Sequence, residues 1–411
     1  MRTRPLIVLL GCAVVASAGV APSDAQAPAA ATAARGSPDL TFVSMPDTFN
    51  SDHADVSDAI GWSPESPNSI NPAYQAAIDT FFDDVAALSP QAVLVAGDTV
   101  EGHWGRDTAG TGIFGPVSTV AERRLAVVRA ARQYYGEYRE RWRTREIPLY
   151  PAMGDHEIGD NPWGPGRGWY AAFKHANLGL FKAQWARFFT DSGRRFGRHP
   201  RGTAFDTTTY ATMLDDEVLL LSLDVFRKTP RSVVASVGRK QLAWVEGQLK
   251  RARRLGLDWV VVQGHTPVVG PVRQELSSGL MYRKGVRSPL WRTLRRYDVD
   301  FYLAGEVHAN TVSRPRDAPI QVAHGGLFRR GKATVLEARV FGRRMDLRLL
   351  RWEGEIVEQP PGQVIWQTDT TRNINWDVVY QAGPHSIGGM SVTRSGRVLS
   401  ATGVFDDPFP R

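Results

Sequence analysis

The hydrophobic positions form two kinds of stretch that alternate along most of the chain. Short, nearly unbroken apolar runs occur at Leu40 to Met45, Ala92 to Ala96, Ile147 to Met153, Trp259 to Gln263 and Phe301 to Ala304. Each has the length and character of a strand buried on both faces, as in a parallel sheet. Between them lie longer stretches with apolar residues every three or four positions. In Gln241 to Arg254 these are Leu242, Val245, Leu249 and Ala252, the stripe of an amphipathic helix. Strand, helix and strand in that order predict an α/β fold, a layered β-sheet core flanked by helices. Two regions break the alternation. Asn161 to Arg201 is aromatic and glycine-rich, with a helix expected over Tyr170 to Phe189, and is expected to form a cap-like insertion over one end of the sheet. Thr207 to Val225, with Leu214-Asp215-Asp216-Glu217 in its middle, predicts two strands joined by a tight turn. From Ala333 onward the pattern is of strands and turns, so the expected organisation is an α/β domain over 39–340, with its insertion at 161–201, and a β-rich C-terminal extension over 341–411.

Composition adds a destination. Apolar residues make up 42% and charged residues 22%, the proportions of a globular protein. Arg2 and Arg4 precede an apolar run from Leu6 to Val20, followed by small residues, which is the pattern of an export signal over 1–25 with a flexible Ala/Pro/Ser/Gly leader over 26–38. The run of about 15 residues is short for a membrane span, which needs roughly 20, so no transmembrane anchor is expected. Cys12 is the chain's only cysteine, and Leu9-Leu10-Gly11-Cys12 faintly resembles a lipoprotein cleavage box. The apolar run continues past it, which favours an ordinary signal and a secreted or periplasmic protein. Once the signal is removed, disulfides and thiolate chemistry are excluded. The net charge of +8 suits an anionic substrate. Its arginines are scattered, and Lys250-Arg251-Ala252-Arg253-Arg254 reads as the solvated end of a helix, so no nucleic-acid polymer is expected as partner.

The chemistry lies just after the apolar runs. The first is followed by Asp47, and the second by Gly97-Asp98. Gly154-Asp155-His156-Glu157, Gly264-His265 and Gly305-Glu306-Val307-His308 follow the other three. An Asp after a strand is by itself an ordinary turn or helix cap, and a lone Gly-His an ordinary loop. Five strand ends that each deliver a metal-binding or proton-carrying residue are another matter. A parallel sheet sets its carboxyl ends along one edge, with the ligand crevice beyond it. In four of the five a glycine comes first, where the backbone must turn sharply or approach closely.

These blocks, in this order and strand context, resemble those of the calcineurin-like metallophosphoesterases, which include purple acid phosphatases. The resemblance runs from about Asp47 to His308, with His324-Gly325-Gly326 where the family often has a glycine-rich strand end. It implies a site for two divalent metal ions. Asp47 would bind one, Asp98 would bridge both, and Asp155, His265, Glu306 and His308 would complete the set. His156 would not bind metal but would pass a proton to the leaving group, oriented by Glu157 or Asp160 unless Glu157 is a plain helix or turn residue. The chain departs from the family in four places. Asp155 stands for an asparagine and Glu306 for a histidine. Phe49 replaces the histidine of the first block, and Glu101 stands where purple acid phosphatases have a tyrosine, so Asn50 or Glu101 is the candidate replacement ligand. His53 is a weaker candidate, read as a surface loop residue. So oxygen-rich a set favours manganese, magnesium or iron over zinc. The implied activity is hydrolysis of phosphate mono- or diesters on a phosphorylated small-molecule, lipid or nucleotide substrate. The alternative is a pseudoenzyme that keeps the metal cleft and acts as a binding protein. Trp163, Trp169 and Tyr170 are available to stack on a base or sugar, or else form the core of the cap.

Overall fold

The computed structural model describes residues 36–407 apart from 67, 71, 109, 317, 327 and 359–375. The expected export signal, with the box around Cys12, lies outside these residues. Among the described residues no helix is long and apolar enough to cross a membrane.

In chain order the strands are β1 (Leu40–Ser44), β2 (Ala92–Val95), β3 (Leu149–Pro151), β4 (Tyr210–Met213), β5 (Val218–Ser222), β6 (Phe226–Lys228), β7 (Val233–Ala235), β8 (Trp259–Gln263), β9 (Phe301–Ala304), β10 (Thr311–Ser313), β11 (Ile320–Ala323), β12 (Lys332–Phe341), β13 (Arg344–Glu358), β14 (Trp376–Thr393) and β15 (Val398–Gly403). The α-helices are α1 (Pro72–Ala87), α2 (Val120–Arg143), α3 (Trp169–Ala176), α4 (Leu178–Phe189), α5 (Arg239–Leu255) and α6 (Pro289–Arg296). All five apolar runs form strands, and every residue of β1, β2, β8 and β9 is buried. The tight turn after β4 is present, with β4 and β5 antiparallel. The helix expected over Tyr170 to Phe189 is two helices, broken at Asn177, which ends α3 and precedes α4.

The five strand ends are divided between two sheets rather than set along one edge. One sheet has the order β15-β14-β13-β12-β1-β2-β3 and the other β10-β11-β9-β8-β5-β4. Strands β1, β2 and β3 run parallel in the first; β5, β8, β9 and β11 run parallel in the second. The first sheet stops at β3, a three-residue edge strand ending in Pro151, which has no N–H to extend the ladder. Side chains take over the join. Tyr210 and Ser222 hydroxyls donate to the Pro151 carbonyl (2.8 and 3.1 Å), and the Gln263 amide donates to the Tyr150 carbonyl (2.8 Å). The C-terminal strands β13 to β15 continue the first sheet through β12, which lies antiparallel to β1.

Helix starts and stops follow local chemistry. Thr119 and Glu122 form a reciprocal capping box at the start of α2, and Gly256 in the left-handed region ends α5. Helices α1 and α2 face each other through Phe82 and Trp142, whose rings are 4.7 Å apart.

Candidate metal centre

Backbone hydrogen bonds tie the carboxyl ends of neighbouring strands within each sheet, and the Asp47 carboxylate ties one sheet to the other. Asp47 N–H donates to the Gly97 carbonyl (3.2 Å), Gly305 N–H to His265 O (2.8 Å), and Glu306 N–H to the Asp47 carboxylate (3.1 Å). Beside them is a cleft of roughly 220 Å³, into which β2, β3 and β9 deliver Asp98, Asp155 and Glu306 from their following loops, with His265, which follows β8, buried against those carboxylates.

His265, fully buried, stands at the centre. Its Nδ1–H donates to the Ala96 carbonyl at 2.8 Å, which points Nε2 at three carboxylates: Asp155 at 2.9 Å, Asp98 at 3.4 Å and Glu306 at 3.4 Å. A backbone carbonyl on one ring nitrogen is the usual way to orient a metal-binding histidine. Ligand atoms of Asp47, Asp98 and His265 lie within 4.8 Å of one another, as do those of Asp155, His265 and Glu306, and those of Asp98, Asp155 and His156.

The glycines of the sequence pattern are close-approach positions. A Cβ on Gly154 would come 2.1 Å from the Asp98 carboxylate, and one on Gly305 would come 2.6 Å from that of Asp47. Gly97 also turns at φ +97. Five site residues themselves sit at positive φ: Asp47, Asn50, Asp98, Glu306 and His308, at 57°, 30°, 60°, 72° and 50°. Such backbone costs about 1–3 kcal/mol per residue and clusters at functional sites.

The cleft has the features of a cation site. Its lining holds the carboxylates Asp98, Glu101, Asp155, Asp160 and Glu306 and no lysine or arginine, although the chain as a whole is basic. Asp47 Oδ2 and both polar atoms of Asn50 are buried without a hydrogen-bond partner. Such groups cost free energy unless something satisfies them, and a divalent ion would satisfy the two oxygens, Asp47 Oδ2 and Asn50 Oδ1. Burial pushes Asp98 well above the ordinary carboxylate range and Asp47 up to about 7, against the pull of His265. Burial would depress His265, but Asp98, Asp155, Glu306 and Asp47 hold it well above its ordinary value.

The replacement ligands differ in what they do. Asn50 lines the cleft, its N–H donating to the Asp98 carbonyl at 3.2 Å. Glu101 also lines it, and its carbonyl accepts the His156 Nδ1–H at 2.7 Å. Phe49 points the other way, into rings of Phe82, Tyr138 and His53, with the Arg141 guanidinium 5.5 Å from its centroid. His53 is not a surface residue: it is 1% exposed and bonded to Arg141. His308 lines the cleft, but its Nδ1–H donates to the Glu275 carbonyl (3.0 Å) and it belongs to none of the close ligand groups.

His156 presents Nε2 to the Asp98 carboxylate at 3.9 Å. Burial would lower it, yet Asp98, Asp160, Asp155 and Glu101 raise it to about 10. Glu157 does not orient it, nor is it a plain turn residue. Its Oε2 accepts the Asp98 and Gly154 N–H groups (2.9 and 2.6 Å), and its Oε1 accepts the N–H and hydroxyl of Thr99 (2.7 and 2.8 Å). Glu157 therefore fixes the loop that carries Asp98. Asp160 pairs with His103 at 3.1 Å, and the His103 ring lies parallel to that of His156, 5.9 Å away. Sequence reasoning missed His103, whose only signal was its position two residues after Glu101. It also missed Ser277 and Ser278, which donate to the Glu306 carboxylate (3.0 and 2.7 Å) from a patternless loop.

Trp163, Trp169 and Tyr170 do not line the cleft. Trp163 and Tyr170 are buried and bonded to the Ile158 and Trp104 carbonyls, while Trp169 lies under the Arg123 guanidinium, 4.2 Å away.

No protein-family model matches the sequence, and no curated protein sequence matches it. Solved structures do. A structure of PhoD superposes with a TM-score of 0.52 at 10% identity, covering 90% of this chain and 73% of that one. A dimetal phosphatase from Danio rerio gives a TM-score of 0.49 at 15% identity, covering 75% and 95%. The fold is that of the calcineurin-like metallophosphoesterases.

Proposed function

We propose that the chain is a metal-dependent phosphoesterase that hydrolyses phosphate mono- or diesters with two divalent ions. One observation carries the reading: carboxylates from four strand ends, in two sheets, surround a buried histidine from a fifth, and its Nε2 faces three of them. Asp47, Asp98, Asp155, His265 and Glu306 would hold the ions, with Asn50 completing the set from its unsatisfied side chain. Bound ions would offset the carboxylates, attract the phosphoryl oxygens and make a water acidic enough to attack at neutral pH. With mostly oxygen donors, the set favours manganese, magnesium or iron over zinc. We read the export signal and a phosphorylated small-molecule, lipid or nucleotide substrate as in keeping with this chemistry.

The chain's own residues supply the rest. Glu157 holds the Asp98 loop, and the Ser277 and Ser278 hydroxyls hold one oxygen of Glu306, leaving its other oxygen toward His265. His156 has Nδ1–H committed to the Glu101 carbonyl, so Nε2 is the atom that carries a proton to the leaving oxygen.

The test separates holding metal from moving a proton. Asp98→Asn is expected to lose metal and turnover together. His156→Ala should keep its metal and lose about 10²–10⁴-fold on an alkyl phosphate, and less on a nitrophenyl phosphate. Metal analysis with rates on both esters reads the outcome. Loss of metal in His156→Ala would make it a ligand instead. A metal-loaded wild type inactive on a panel of mono- and diesters would leave the binding-protein alternative.

A further inference from the structure

A second cavity, of about 280 Å³, lies where the start of α5 meets the 282–290 segment, apart from the metal cleft. Its floor is apolar, made by Val237, Leu242, Leu290 and the ring of Tyr282, whose hydroxyl is already used by the Val237 N–H at 2.7 Å. Its rim is cationic: Arg227, Arg239, Arg283 and Lys284 line it, and no carboxylate does.

Some surface cations of this chain have carboxylate partners, as in Arg194 with Asp191 and Lys250 with Glu246. Among the described residues none pairs with these four. The only side-chain bond among them runs from Arg227 Nε to the Ser236 hydroxyl at 3.1 Å. Like charges gathered around one opening repel one another, and that arrangement is relieved when an anion enters. Lys284 is held at φ 69, a left-handed backbone that costs a lysine about 1–2 kcal/mol, and the strain places it on the rim beside Arg283. The start of α5 adds to the field. Gly238 at its cap offers no side chain to the first-turn N–H groups, whose dipole favours negative charge.

We propose that this cavity binds a small amphiphilic anion, an acidic headgroup held at the rim by Arg239, Arg283 and Lys284 with an apolar body seated on Leu242, Leu290 and Tyr282. A headgroup alone would meet only the rim, and a neutral apolar molecule would leave four cations uncompensated. The volume sits just under the range usual for ligand pockets, which limits the occupant to a compact molecule. The inference does not rest on the phosphoesterase reading.

The test uses the full, metal-loaded chain and an alkanesulfonate series, which no phosphoesterase can turn over. Calorimetric titration is expected to show 1-octanesulfonate binding saturably at one site, at least tenfold tighter than methanesulfonate. The double variant Arg239→Glu/Arg283→Glu should weaken it by at least tenfold. Both residues are exposed, and at Arg239, in the first turn of α5, glutamate complements the dipole, so the fold should be kept, with a melting curve as the check. Equal binding of methanesulfonate would reveal a bare charge patch and overturn the proposal. So would absence of saturation, or undiminished binding by the double variant, which would place the ligand elsewhere.

Discussion

At the scale of single residues, Glu157 shows how a side chain outside the cleft can govern it. Its two oxygens accept four hydrogen bonds, three of them from backbone or hydroxyl groups of the Asp98-Thr99 turn. A glutamine there must turn its NH₂ toward two of those donors. Hydrogen bonds to a charged group are worth about 1.5–3 kcal/mol each, so Glu157→Gln is expected to lose stability on that order and to bind metal more weakly. Denaturant unfolding and metal analysis check both effects, and an unaltered metal content would show that the turn does not depend on this clamp. The strand-end residues that gather at the cleft were legible in the sequence, because strand-end glycines and carboxylates form a local pattern. It could not mark Glu157 as a clamp, because its partners lie 58 and 59 positions back in the chain. His53 misled for a similar reason: Asp52-His53 reads as polar loop, while distant Tyr74 and Arg141 bury it.

Helix α3 illustrates the scale of elements. The aromatic character of the 161–201 region was legible in the sequence, but its mechanical link to the site was not. Lys174 is 3% exposed, and its ammonium donates to the Gly159 carbonyl at 2.7 Å and to the Asp160 carbonyl. One insertion helix thus braces the turn that carries His156 and Asp160. Lys174→Met keeps the apolar stem and removes the donor. It is expected to lower kcat with little change in metal content, together with about 1.5–3 kcal/mol of stability. A variant with lost stability but an unchanged kcat would reduce the brace to a packing role. The split of the expected Tyr170 to Phe189 helix has a local cause. Asn177 closes α3 with its own amide on the Phe173 carbonyl and offers its backbone carbonyl to Leu180 at the start of α4, a competition for which asparagine is suited and which apolar periodicity does not report.

For the whole molecule, the candidate metal centre is also a seam. Asp47, Asp98 and Asp155 follow strands of one sheet, and His265 and Glu306 follow strands of the other. Between β3 and β5 the sheets are joined by side chains rather than by a strand ladder. Ions that bind these residues bind the folded state alone, so each site should add about 2.7 kcal/mol at a metal concentration a hundredfold above its Kd. Thermal melting at graded manganese concentrations is expected to show a rising Tm that chelation reverses. A Tm indifferent to manganese would mean that the seam holds without ions. The two-sheet division itself was hidden from sequence reading, since a buried run looks the same in either sheet and only the register assigns it.

Phe49 sets a limit on where the site can take a ligand. Here the aromatic ring has been taken into the interior, in edge contact with Phe82, Tyr138 and His53, and beside Arg141. Several neighbours would have to change together before a side chain at that position could turn toward the cleft, so one substitution does not supply a ligand there. Phe49→His should cost about 3 kcal/mol, as large-to-small changes in aromatic cores do, and bring no additional metal. A stable variant with an extra equivalent of bound ion would overturn that limit. With Phe49 committed to the interior, a further ligand from this turn has to come from Asn50, whose side chain is buried without a partner.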